Sequence, residues 1–229
     1  MDRPGGGNGP VGRPLPGSIH QRPRRGADRG GTLSKSLETI VDFFNYSFKA
    51  SRRLVPAQHL GKSVKEFSDH KDRVFRVGPV YQNLGLATEL TFKTALLLSG
   101  STKGDLRKLG HDLEKLYKLL SEKRDLDKVE NSAFQAAILV GPPNDMLQRL
   151  EEGGEDPSAW FLFQTQIRSL NNNYSSFEDS SGSTSAERYR SRYPANDRAF
   201  KEVCVESILA GLDLLLSELQ DELNKRLSR

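Results

Sequence analysis

Apolar residues recur at intervals of three and four along most of the chain, the spacing of one face of an α-helix. Leu37, Ile40, Val41, Phe44 and Phe48 form the first such stripe. Thr32 or Ser34 can cap its start, worth about 1 kcal/mol, and the helix is expected to end near Leu54, because Pro56 follows. A weaker stripe, Val64, Phe67 and Val74, predicts a second helix from about Lys62 to Val77. Gly78-Pro79 is expected to break it, and a third helix then runs from about Val80 to Ser99 through Leu84, Ala87, Leu90 and Leu97. Gly100 sits where a helix C-terminus favours a residue of positive φ.

The stretch "GHDLEKLYKLL" (110–120) starts a fourth helix, with Leu113, Leu116, Tyr117 and Leu120 on one face. Its first turn carries Asp112 and Glu114, where the helix dipole favours anions. Residues 124–160 are less regular and predict two short helices around Gly141-Pro142-Pro143. "AWFLFQTQIRSLNNNY" reads as a helix with Trp160, Phe163, Ile167 and Leu170 inward. A polar, serine-rich loop is expected at 175–187, and a long last helix from about Asp197 to Leu227, with Val203, Leu209, Leu212, Leu215, Leu219 and Leu223 as its stripe. No convincing strand alternation or internal repeat appears. The expectation is an all-α bundle of five to seven helices, forming one helical domain over residues 32–229.

Composition changes this picture mainly at the N-terminus. Residues 1–31 hold nine glycines and five prolines, a composition expected to be disordered. They also hold six arginines and two aspartates, a net of +4 that equals the formal charge of the whole chain. The remainder is therefore close to neutral, and charge gives no reason to read it as a nucleic-acid binder. The longest apolar run, Ala136–Val140, is far short of the roughly 18 residues of a membrane span. No apolar run follows the basic start as in a secretory leader, and the single cysteine, Cys204, excludes an intramolecular disulfide. A cytoplasmic protein is expected, with Cys204 a buried thiol.

Three pieces then align in order. "ATELTFKTALLLSG" (87–100) places Glu89 and Lys93 four apart before a leucine run ending in Gly. "GHDLEKLYKLL" follows after a short polar turn, and "RYRSRYP" (188–194) precedes the last helix. This resembles the HEPN family of small helical domains, with its Glu-x-x-x-Lys helix, His-Asp-Leu helix start and Arg-Tyr-Pro before the final helix. The resemblance covers roughly residues 80–122 and 165–222, with 124–160 as an insertion. It implies an up-and-down bundle that often dimerises and binds a nucleotide, RNA or a partner protein. It also implies the company of nucleotidyltransferases, in toxin–antitoxin or defence systems.

The family's ribonuclease branch carries an Arg and a His with four to six residues between them. Arg13 with His20 lies in the Gly/Pro-rich tail, Arg52 and Arg53 are separated from His59 by Pro56, and Arg107 is too close to His111. A metal-independent ribonuclease is therefore the alternative, and the expected protein is a non-catalytic binding module; a purely structural interaction protein is the second alternative. The ligand-binding candidates are His111, Asp112, Arg190, Arg192 and Tyr193. A neutral His111 at a helix start can accept a hydrogen bond from a ribose or base edge, and guanidinium forks beside tyrosines suit phosphates and bases. Packing explains the same residues: Asp112 as a helix-start residue, and the tyrosines against the last helix. Glu89 and Lys93 are expected to form a surface pair worth a few tenths of a kcal/mol. The four histidines lack zinc-ligand spacing, "GSTKGD" (100–105) lacks that of a phosphate loop, and no cofactor is expected.

Overall fold

A computed structural model describes residues 29–53, 70–143, 145–154, 156–175 and 201–228. Among these it is all-helical: α1 (Arg29–Arg53), α2 (His70–Leu98), α3 (Lys103–Leu109), α4 (Leu113–Lys123), α5 (Asp127–Val140), α6 (Met146–Glu152), a 3-10 helix (Pro157–Phe161), α7 (Phe163–Tyr174) and α8 (Val205–Leu227). The described residues thus form eight α-helices where the periodicity predicts five to seven. The expected tail, 1–31, lies outside them except for its last three residues, which begin α1; the serine-rich loop lies outside them after Ser175.

The bundle is built on two long pairings. α1 lies along α2 and α5 lies along α8, while α2 also meets α4, α7 and α8. The central core takes Leu84, Phe92 and Leu96 from α2, Leu113, Leu116 and Leu120 from α4, Ile167 and Leu170 from α7, and Ile208, Leu212 and Leu219 from α8. Each of these buried aliphatic or aromatic side chains contributes about 1.5–3 kcal/mol. Trp160, Ala137 and Cys204 form a smaller cluster, with Met146 and Leu150 of α6 packed against it. Cys204 is buried, as expected from its apolar surroundings.

Four boundaries differ from expectation. Gly78-Pro79 does not break the helix: α2 runs through Pro79. The missing N–H costs about 3 kcal/mol in a helix interior. Pro79 is exposed, whereas Val80, Tyr81 and Leu84 beyond it are buried, so packing carries the helix across. The polar turn after Gly100 contains α3, capped by Thr102 and Asp105 in a reciprocal capping box. Trp160 lies in the 3-10 helix, which Asp156 caps, and extended Leu162 separates it from α7.

The last helix begins at Val205, and residues 201–204 are not helical. Their backbone is taken by amide side chains of α7. Asn173 accepts from Lys201 N at 3.0 Å and donates to Lys201 O at 2.7 Å. Gln166 Oε1 accepts from Cys204 N at 2.7 Å. No helix among the described residues is long and apolar enough to cross a membrane.

Candidate functional site

The site grows from α2. Glu89 is buried in this helix together with Thr88, Thr91 and Thr94, whose hydroxyls bond to the carbonyls one turn back. That local satisfaction lets these hydroxyls enter the core. Glu89 is 4% exposed, so it is not a partner in a surface ion pair as its spacing from Lys93 suggests. Lys93 Nζ reaches Glu89 Oε1 at 2.7 Å. Two more groups converge on the other oxygen: Tyr174 OH donates to Glu89 Oε2 at 2.7 Å, and His111 Nδ1 lies 2.9 Å from it.

Each partner comes from a different element: Lys93 from α2 itself, His111 from the loop before α4, Tyr174 from the end of α7. Gly110, with φ of 62°, turns the chain so that His111 can fold back toward α2. Gly85 is packed directly on the Tyr174 ring, where a Cβ would collide. Burial alone pushes the Glu89 carboxyl up; the hydrogen bonds from Lys93, His111 and Tyr174 outweigh it, and the group titrates below its ordinary 4.5. Glu89 is thus a carboxylate with no proton to give. That assigns the proton of the shared bond to His111 Nδ1.

The His111 side chain is 57% exposed. It lines an open groove of about 1370 Å³ together with Lys108, Lys115, Lys118, Tyr117, Phe134 and Leu162. The acidic residues on this lining are engaged. Asp112 Oδ1 caps α4 by accepting from Glu114 N and Lys115 N, both at 3.1 Å, and from Asn171 Nδ2 at 3.2 Å. Its other oxygen is 3.1 Å from Lys115 Nζ. Glu114 pairs with Arg168 at 3.0 Å. Glu130 accepts from the Tyr117 hydroxyl, and burial together with that carboxylate holds the phenol above its ordinary 10. Lys108 and Lys118 have no ion-pair partner within 4.0 Å among the described residues.

Of the candidates read from the sequence, His111 and Asp112 lie on the groove, His111 through its ring and Asp112 mainly as the cap of α4. Arg190, Arg192 and Tyr193 lie outside the described residues. Sequence reasoning missed Tyr174, Lys118 and the buried amide Asn171, whose Oδ1 accepts from Leu113 N at 2.8 Å. The run "NNNY" at the end of an amphipathic segment was the available signal, since amides on an inward face need partners. Among the described residues, no group of three or more His, Cys, Asp or Glu side chains is placed to hold a metal ion. No family model matches the chain, and no curated protein or solved structure matches it.

Proposed function

We propose that the chain is a non-catalytic, HEPN-like helical module that binds a phosphate-bearing ligand, a nucleotide or a short RNA, in the groove beside His111. The observation that carries this reading is the imidazole held at the groove by a buried carboxylate. Glu89, Lys93 and His111, drawn from two of the three motif segments, meet in one network. The His111 ring is thereby fixed in one tautomer, and its Nε2 is left to accept a hydrogen bond. Lys108 and Lys118 supply positive charge without a direct ion-pair partner among the described residues, and Phe134 and Leu162 supply an apolar wall for a base.

Calorimetric titration with mononucleotides and a short single-stranded RNA tests the reading. Micromolar binding is expected, weakened about tenfold or more in His111→Ala and in Lys118→Ala, about 1.4 kcal/mol each. Absence of heat with every nucleotide and RNA removes it. Cleavage of the RNA during the titration, lost in His111→Ala, would replace it with the ribonuclease alternative.

A second reading, a partner-protein module, is favoured by the exposed apolar residues at the end of α5. Ile138 and Leu139 are 52% and 87% exposed, and Phe134 and Leu162 continue this surface into the groove. Such patches mark interaction sites. A nucleotidyltransferase or a second copy of the chain is the partner this reading puts there, as part of a toxin–antitoxin or defence system. Co-purification of a stable complex that Ile138→Glu disrupts, without any nucleotide affinity, would favour it.

A further inference from the structure

We infer that His111 Nε2 is a phosphoryl-accepting nitrogen, a covalent modification site served by donors of the phosphoramidate class. The inference rests on the reading of the groove as a phosphate-binding site and goes beyond it, from binding to bond formation.

Three features of the structure support it. The first is orientation. His111 Nδ1 is tied at 2.9 Å to Glu89, and Glu89 is itself held by Tyr174 OH at 2.7 Å and Lys93 Nζ at 2.7 Å. A buried carboxylate on one ring nitrogen fixes the imidazole and directs the lone pair to the other. The second is access. The ring is 57% exposed on an open groove, and Nε2 has no hydrogen-bond partner among the described residues. The third is the setting for a phosphoryl group. Lys108 and Lys118 line the same groove, have no ion-pair partner within 4.0 Å among the described residues, and carry ammonium groups suited to phosphoryl oxygens. Ser175, 3% exposed, also lines it, and its hydroxyl has no hydrogen-bond partner among the described residues.

The step balances without an oxidant or a metal. The Nε2 lone pair attacks phosphorus, the bond between Nε2 and phosphorus forms, and the donor's phosphorus–nitrogen bond breaks. With phosphoramidate itself, ammonia leaves with the protons its nitrogen already carries. The Nδ1 proton stays on the ring, hydrogen-bonded to Glu89, whose negative charge offsets the positive charge that the ring acquires. Glu89 is here a positioning residue that acts through His111.

The test is to incubate the full chain with potassium phosphoramidate at neutral pH and map the adducts by mass spectrometry. Phosphorus NMR and acid lability identify phosphohistidine. His20, His59 and His70 serve as internal references. His111 is expected to label about tenfold faster than these three, and Glu89→Gln to reduce its rate about tenfold or more, toward theirs. Equal labelling of all four histidines, or no labelling of His111, overturns the inference. If Glu89→Gln does not fold, the selectivity within the unaltered chain still decides. A nucleotide titration of the same sample separates the two readings. Binding without labelling removes this inference and keeps the groove as a binding site; labelling without nucleotide binding keeps it and retires the nucleotide.

Discussion

At the scale of single residues, a charge in the core is stable only when each of its charged atoms has a partner, and Glu89 meets that condition. Its two oxygens take an ammonium, a phenol and an imidazole. Replacing Glu89 with Gln leaves Lys93 without its counter-charge, so Glu89→Gln is expected to cost about 3–5 kcal/mol in urea unfolding at neutral pH. The carboxyl titrates below its ordinary 4.5, so its contribution is complete above that value and is lost as pH falls through the folded value. The gap between the two proteins should therefore narrow as unfolding is repeated at successively lower pH below 4.5; a constant gap would refute the assignment. Tyr117 behaves oppositely. Its phenol is raised above 10, so its contribution is present below 10 and is lost as pH rises through the higher folded value. Ultraviolet titration should find tyrosine ionising later than an ordinary phenol, and Tyr117→Phe should reduce that late step by one tyrosine. Spacing in the sequence paired Glu89 with Lys93 but could not say that the pair is buried, because burial is set by what α4 and α7 lay over it.

Elements depend on their ends. Asp112 sits at the start of α4 and accepts two backbone N–H groups of its first turn. Asp112→Ala should cost about 1–2 kcal/mol, whereas Asp112→Asn, which keeps a capping oxygen, should cost a few tenths; thermal melts of the pair distinguish the cap from simple charge loss. That cap was readable from the chain, as was the α4 stripe Leu113, Leu116, Tyr117 and Leu120, all buried. The capping box at Thr102 and Asp105 was equally local, yet a seven-residue helix carries too few apolar positions for periodicity to reveal. Pro79 misled for the opposite reason. The local rule against proline is sound, but α2 continues through an exposed Pro79 because Gly78, Val80, Tyr81 and Leu84 around it are buried. The start of α8 shifted to Val205 because Asn173 and Gln166 occupy the backbone groups that an earlier helical turn would have used.

Over the whole molecule, close approach of elements is the limiting quantity. Where α8 crosses α7 and α5, Gly211 faces Phe163 and Ala133, and a Cβ there would lie 2.9 Å from the Phe163 ring. Gly211→Val should therefore destabilise by about 1–3 kcal/mol through overpacking, despite the higher helix propensity of valine over glycine. Denaturant midpoints check this, and a stabilised variant would show that the crossing can relax. The same crossing places Phe163 beneath the groove, since its ring also packs edge-on against Tyr117 at 5.9 Å. A loosened crossing should thus weaken ligand binding as well as stability.

The sequence by itself determined the class of the fold and most of its inward faces. Helical periodicity is a local property, and Leu84, Leu116, Ile167 and Leu212 all lie in the core it implied. It also singled out Glu89, Lys93 and His111, but as two separate fragments 22 positions apart. Only the tertiary structure brought these together and added Tyr174 from α7, 85 positions along the chain from Glu89. The reason is physical: a helix pattern states which face is buried, whereas a charge network depends on which other helix covers that face and at what register.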